Sequence, residues 1–589
     1  MKHIYLFTYM MTICAMSFGQ SIFDINSVGF KTAYDTYPAV PEGMLEAMAW
    51  YHSHGVNLKP TENCTGIPTG FGLFNLIENG KGFFQRSAFR VEKWSGIPLN
   101  NMKEDVASQI MAMSGAYSFL IDSLQIDPTK IESHFIIVKA LSTIPDGSSA
   151  LQFARSSEAY QIFINYNEHS ANPVDLKAVF GNQLELLSSS RVNLSEIGLD
   201  RSFMKDINSG GEIGPCYDYT SDIYTQTPAC NFNTRAEVVS AITIHTIQGS
   251  YAGAIAWAQN CNANVSYHYV VRSSDGQITE MLCESDRGWH VGTENDYSIG
   301  IEHEGYVTEP SWYTQEMYFA SSNLVKDISE SGYEIDAHRT SHFPWSATTH
   351  YNVDGIPGNC NRIKGHQHFP NQTHTDPGVN WDWDYFYKLI DPLAAELTVT
   401  DVSGTFTDDG GVTAPYSSDM RSLTLFEPAG AVQVEFTFTQ FDLETDWDYL
   451  YIYDGWSVFD PLIGIYTGTD NPGTITSTGE SLLVEFRSDC SIGYSGWEAS
   501  FTGQFPVGME NRNSLEFRAH PNPTTGIILL PQAENLSWKI LDLKGRWIAS
   551  GSKSSEINLE SFNIQPQILI LKMTNKNQTV NQRLIYSPY

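Results

Sequence analysis

The chain has 589 residues, too many for one hydrophobic core, and its 34 lysines and arginines stand against 67 aspartates and glutamates, a formal charge of −33. That length implies roughly three to five domains, and so acidic a surface excludes nucleic acid and anionic membranes as partners. With hydrophobic residues at 41% and aromatics at 13%, most of the chain has enough apolar surface to fold.

Residues 1–20 open with Met1-Lys-His, continue through a short apolar stretch and end in small residues near Ser17–Gly19. This is the pattern of a secretory signal peptide. The stretch is too short to span a bilayer, and no other run approaches about 20 apolar residues, so no transmembrane segment is expected. Seven cysteines follow: Cys64, Cys216, Cys230, Cys261, Cys283, Cys360 and Cys490. Export permits disulfides, and one bridge from Cys216 to Cys230 could close the short loop between them. No CxxC spacing occurs, which argues against a thiolate zinc cluster.

Residues 21–200 read as helical. Leu45, Met48 and Ala49 share one helical face, and Val106, Ile110 and Met113 another; the turn-rich loop Cys64-Thr-Gly-Ile-Pro-Thr-Gly-Phe-Gly-Leu73 lies between them. The layout resembles lysozyme-like lytic transglycosylases, which need a glutamate near the end of the first core helix. Here that place reads Trp50-Tyr-His-Ser-His-Gly55, without a carboxylate, and Glu46 lies one to two turns earlier as a solvated helix residue. The reading is a non-catalytic glycan-binding or packing domain. Residues 201–235 read as a linker.

From 236 to 396 strand and helix signals alternate. Ile242–Ile247 is a strand ending in His245-Thr246, Ser250–Gln259 a short helix, and Val265–Val271 with Ile278 a hairpin about Ser273-Ser-Asp-Gly276. Met317, Ala320, Leu324 and Ile328 mark an amphipathic helix stopped at Gly332. A mixed sheet flanked by helices follows.

Residues 397–505 turn all-β. Val432, Val434, Phe436 and Phe438 alternate with polar residues, as does Tyr449-Leu-Tyr-Ile-Tyr453, which indicates a β-sandwich. The run Phe441–Gly455 with Phe486-Arg-Ser-Asp489 resembles a CUB domain. The resemblance implies that Glu444, Asp448 and Asp489 supply oxygen ligands to calcium, a hard cation suited to carboxylates. The alternative is a set of acidic loops on an acidic protein. Residues 510–589 open with His520-Pro-Asn-Pro-Thr-Thr-Gly526, carry Lys544-Gly545 as a hairpin turn, and resemble the C-terminal sorting domain of type IX secretion substrates. That resemblance implies secretion machinery as a partner.

Three positions in the central segment carry metal chemistry. A catalytic zinc wants three protein ligands and one open position, usually imidazole with a carboxylate. His245 closes a strand, and His366 and Asp376 flank a Pro-containing loop, with Asp376-Pro-Gly378 setting a sharp turn. The order strand-His-Thr, Tyr-His-Tyr, Ile-Gly-Ile-Glu, then Gly-His-x9-Asp-Pro-Gly resembles the N-acetylmuramoyl-L-alanine amidase family of the phage-lysozyme and peptidoglycan-recognition type. The resemblance implies zinc at His245, His366 and Asp376, with Glu302 as proton acceptor, Tyr267 near the scissile carbonyl, and His374 as an oxyanion donor where many relatives have lysine. It implies peptidoglycan as substrate, and Trp289-His290, Trp381 and Trp383 as groove residues. The alternative is a non-catalytic peptidoglycan-recognition protein, which should have lost a metal ligand. The expected fold is multidomain: a helical lysozyme-like domain, an α/β mixed-sheet amidase domain, a CUB-like β-sandwich and a small C-terminal β-sandwich.

Overall fold

The computed structural model describes residues 27–60, 65–188, 218–219, 223–340, 361–369, 373–391, 395–505, 519–520, 524, 526–530, 536–542, 547–562, 564, 567–575 and 579–586. Residues 1–20, read as a signal peptide from the sequence, Cys64, Cys216, Cys360, the Lys544-Gly545 stretch and most of residues 201–235 lie outside them. Two compact units emerge: Met1–Ala236 with Thr246–Asn295 and Gly300–Trp312, and Glu237–His245 with Asp296–Ile299 and Tyr313–Tyr589.

In the first unit, helices Met44–Ser53, Val106–Leu124 and Ser149–His169 pack their apolar faces together. Asp105 and Ser148 cap the latter two by accepting from the backbone amides of Ser108 and Leu151. The helical residues do not form a core of their own. The buried cluster runs on into helix Tyr251–Ala258 and to Val265, Tyr267, Val270 and Met281. Arg272, buried, joins the two parts. Its guanidinium donates to Ser157 Oγ and the Leu187 carbonyl, each at 3.0 Å, and pairs with Asp275 at 2.5 Å. Trp257 Nε1 donates to the Thr65 carbonyl at 2.7 Å. Hydrophobic periodicity cannot reveal such a shared core, because it reports which face is apolar and not what covers it. Glu46 also departs from expectation: it is partly buried and accepts from the Tyr34 hydroxyl, and burial raises its carboxyl.

Strand pairing in this unit is mixed. Ile278–Glu280 runs parallel to Ile223–Tyr224 and antiparallel to Tyr269–Val271, which is parallel to Ser298–His303. Cys230 bonds Cys261, Cα–Cα 5.4 Å, rather than Cys216. Asn231 explains the choice by donating to the Ala258 and Asn260 carbonyls at 3.0 Å, which brings the two cysteine-bearing turns together. Cys283 and Cys490 are disulfide-bonded as well.

In the second unit, Ala241–Thr246 runs parallel to Ile363–Gly365. Helices Gln315–Glu330 and Trp383–Ile390 pack on each other. The all-β segment is a sandwich. One sheet orders Ser403–Thr407, Gly496–Gln504, Gln433–Asp442 and Thr474–Thr476; the other orders Leu462–Tyr466, Tyr449–Tyr453, Leu482–Arg487, Arg421–Phe426 and Leu397–Val399. Phe426, Val434, Phe436, Leu450 and Phe486 fill the space between the sheets. All five residues of Tyr449–Tyr453 are buried, on both faces of the strand. The tyrosine face carries a second cluster with Leu423 and Leu483, and buried charges beside it meet helix Trp383–Ile390. The C-terminal strands order Trp547–Ser552, Ser537–Asp542, Gln567–Thr574 and Thr579–Tyr586, all antiparallel, over a core including Ile540, Leu569, Leu571 and Leu584. Among the described residues, no helix is long and apolar enough to cross a membrane.

Candidate metal centre

Register brings His245 and His366 together. Ile242 lies opposite Ile363 and Ile244 opposite Gly365 in adjacent parallel strands, so His245 and His366 follow matched positions. Their rings sit 4.7 Å apart, edge to face. Asp376 arrives on a loop that doubles back: the Gln367 amide donates to the Asp376 carbonyl at 3.0 Å, and the Tyr313 hydroxyl donates to the Pro377 carbonyl at 2.7 Å. Gly365 lets that loop approach. A Cβ there would meet Pro377 Cδ at 2.5 Å and Trp383 Cζ2 at 3.2 Å. Gly378, at φ 83°, takes the left-handed conformation that turns the chain away.

One donor atom from each of His245, His366 and Asp376 lies within 4.8 Å of the others. His245 Nδ1 is 2.9 Å from Asp376 Oδ2, and His366 Nδ1 is 3.4 Å from Oδ1. All three are buried, at 0%, 2% and 3% exposure. Burial pushes His245 down to about 4, partly offset by Asp376, so its imidazole is neutral at pH 7. Burial alone would raise the Asp376 carboxyl, but His366 and His245 hold it well below the usual carboxylate range. An ionised carboxylate beside imidazole nitrogens is a donor set that fits a divalent cation such as zinc.

His374, partly buried, places its ring 4.3 Å from that of His366, and burial lowers its pKa. It is therefore a neutral group at pH 7. His368 braces the loop start by accepting from the Gly365 amide at 3.0 Å. Trp381 and Trp383 do not line an open groove. Both are buried, and their rings pack against Phe386.

Glu302 and Tyr267 belong to the other unit. Glu302 is buried in strand Ser298–His303, opposite Val270. Tyr267 is a correction: its ring is fully buried in the shared core and its hydroxyl donates to the Ala254 carbonyl, so the ring serves packing and offers no face to a substrate. His268 is structural, accepting from the Gly300 amide at 3.0 Å and packed against His290. Tyr313, which fixes the ligand loop, carried no sequence signal because its partner lies 64 residues away.

A second cluster forms in the sandwich. Carboxylate oxygens of Glu444, Asp448 and Asp489 lie within 4.8 Å of one another. Asp448 is buried, accepting from the Asp489 amide at 2.7 Å and from the Tyr416 hydroxyl. Burial, reinforced by neighbouring carboxylates, pushes Asp448 and Glu444 each up to about 7.

Residues 235–379 match the family described as N-acetylmuramoyl-L-alanine amidase, residues 396–501 the CUB domain, and residues 518–587 the Secretion system C-terminal sorting domain. The chain is similar to N-acetylmuramoyl-L-alanine amidase A of Achromobacter lyticus, 37% identical over 175 residues, which are 29% of this chain and 95% of that protein. It is similar to cubilin of Canis lupus familiaris, 36% identical over 120 residues, 19% of this chain but only 3% of cubilin's length. Among solved structures, the catalytic domain of XlyA aligns at 17% identity and a TM-score of 0.21, covering 29% of this chain and 98% of that one.

Proposed function

The chain belongs to the N-acetylmuramoyl-L-alanine amidase family, and from that premise we propose a peptidoglycan amidase whose zinc is held by His245, His366 and Asp376. The bond cut is the amide between the lactyl group of muramic acid and L-alanine. The observation that carries the reading is the convergence of two imidazoles and an ionised carboxylate from adjacent strand ends and one returning loop. When bound, zinc supplies a Lewis acid for the amide carbonyl and acidifies water at neutral pH. His245 and Asp376 are already in the protonation states that ligation requires, so binding displaces no proton from them at pH 7.

Two further roles rest on the resemblance. Glu302 accepts the proton of the attacking water and returns it to the leaving amine. His374, neutral, donates a hydrogen bond to the developing oxyanion, a weaker stabiliser than a charged lysine. The C-terminal sorting domain supports export, and we assign it to the type IX route. The Glu444, Asp448 and Asp489 cluster is assigned to calcium, since three converging carboxylates suit a hard cation.

Digestion of purified peptidoglycan with mass analysis tests the reaction. Free L-alanyl termini should appear, and a chelator should abolish them, with activity restored by zinc. Glu302→Gln should slow turnover about a hundredfold or more, whereas Tyr267→Phe should leave kcat near that of the unmodified chain. Equal activity with and without bound zinc would sink the assignment.

A further inference from the structure

The helical part of the first unit carries a feature that the hydrolase reading leaves unused. An open cleft of about 880 Å³ is lined by, among others, Phe83, Gln85, Arg86, Phe89, Arg90 and Lys93. Its size falls in the range of roughly 300–1,000 Å³ that holds ligands of a few rings. In a chain of formal charge −33, the stretch 81–103 carries five cations (Lys81, Arg86, Arg90, Lys93 and Lys103) against one carboxylate, Glu92. That carboxylate accepts from the Leu99 amide. Glu78, the carboxylate in the cleft lining, is paired with Lys103 at 2.7 Å. Among the described residues, Arg86, Arg90 and Lys93 form no ion pair.

These cations are set beside aromatic rings. The Arg86 guanidinium lies 4.0 Å over the Phe89 ring, and its Nε is fixed by the Glu78 carbonyl at 2.7 Å. Arg90 lies over Trp94 and is anchored by the Ser142 carbonyl at 3.2 Å. Phe89 is 37% exposed. A rigid guanidinium fork recognises carboxylate, and an exposed ring beside it offers an apolar platform for the C–H face of a sugar.

We infer that this cleft binds a glycan strand bearing carboxylates, specifically the product of the chain's own reaction. The inference rests on the amidase reading. Hydrolysis delivers OH to the lactyl carbonyl carbon and H to the alanine nitrogen, so each cut breaks the C–N bond and leaves a lactyl carboxylate on the glycan. The stripped strand is thus a polyanion of sugar rings, complementary to the cleft in charge and shape. Because cleft and hydrolase site share one chain, even a weak site acts at high effective concentration. The consequence is retention on strands already cut, and hence successive cleavage along one strand.

The test uses the full chain carrying Asp376→Ala, titrated with glycan strands stripped of stem peptides by an unrelated amidase. Intact peptidoglycan, chitin oligosaccharide and poly-L-glutamate are the comparison ligands. Stripped glycan should bind about tenfold tighter than each of these, and the double variant Arg86→Glu, Lys93→Glu should lose about tenfold. Equal binding to poly-L-glutamate would mean charge alone, and equal binding to intact peptidoglycan or chitin would mean no reading of the lactyl carboxylate. Either result, or undiminished binding after charge reversal, overturns the inference. Should charge reversal lower the melting temperature, Lys93→Gln and Phe89→Ala, made singly, must each weaken binding about threefold. Because the glycan is prepared independently, its binding is read even if the chain hydrolyses nothing. Hydrolysis of a soluble muropeptide by the Arg86/Lys93 variant with Asp376 intact reports separately on the amidase reading.

Discussion

Around Glu485, charges are buried with their counter-charges. Its carboxylate meets Arg421 at 2.7 Å and Arg487 at 2.8 Å, and accepts from the Tyr453 hydroxyl at 2.9 Å. Arg487 continues to Asp384 at 2.9 Å, Lys388 closes on Asp384 at 2.6 Å, and Asp391 meets His338 at 2.8 Å and Arg421 at 3.3 Å. Three fixed cations thus face three carboxylates, and the two guanidinium groups lie 4.3 and 4.4 Å from the centre of the Tyr387 ring. Arg421 and Arg487 are direct cross-strand partners, an arrangement that repels unless acids intervene. At His245, His366 and Asp376 the charged group is a single carboxylate set among imidazole rings. One donor atom from each of the three residues lies within 4.8 Å of the others. The first cluster balances its own charges and fixes a helix to a sheet; the second is a donor set that could hold a metal ion. Burial alone therefore does not distinguish a structural charge cluster from a functional one; the charge balance does.

Substitution in each cluster separates the two. Asp376→Ala should lower amidase turnover about a thousandfold or more, the scale of several kcal/mol of lost Lewis-acid stabilisation. Its circular dichroism spectrum should remain that of the folded chain. Glu485→Ala should do the reverse. Removing the acid that two buried arginines share, and leaving three cations to two carboxylates, costs about 3–5 kcal/mol, read as a lower denaturant midpoint, with turnover per folded molecule preserved. If Glu485→Ala melted like the unmodified chain, the view of a self-neutralised lock would fail.

The Glu444, Asp448 and Asp489 cluster extends the comparison to pH. Carboxyls raised to about 7 contribute stability that is complete below their ordinary pKa and lost as pH rises through about 7. The calcium-free chain should therefore melt at a lower temperature at pH 8 than at pH 5. Added calcium should raise the melting temperature more at pH 8, which calorimetry across the two pH values would check.

His338 gives the smallest effect. Its hydrogen bond to Asp391 raises its pKa, so its contribution is present below about 6.5 and lost as pH rises through the raised folded value. His338→Gln should cost about 1 kcal/mol or less at pH 6 and nothing at pH 9, measured by paired denaturant titrations.

Much of the candidate centre was legible in the chain because His245, His366 and Asp376 sit at strand ends and in a Pro/Gly turn, positions marked by local composition. The strand Ala241–Thr246, the capped helix Tyr251–Ala258 and the helix Gln315–Glu330 follow from alternation and 3.6-residue spacing. Tyr267 misled because a Tyr-His-Tyr motif says nothing about which way a ring points, and the core took it. The Tyr449–Tyr453 alternation indicated the sandwich but not what covers its tyrosine face, since tyrosine suits a wet face and a buried cation-lined one equally.

The amino-acid sequence by itself determined the element types, the sandwich pattern, the acidic loops and the candidate His/His/Asp set, the first three through local periodicity and composition and the last through the order of motifs that resembles the amidase family. Only the tertiary structure decided the partner of Cys230, the shared core of helices and strands, and the balance of charges around Glu485. Those outcomes depend on which distant surfaces meet, and a buried charge or ring takes its role from the neighbours that replace water around it.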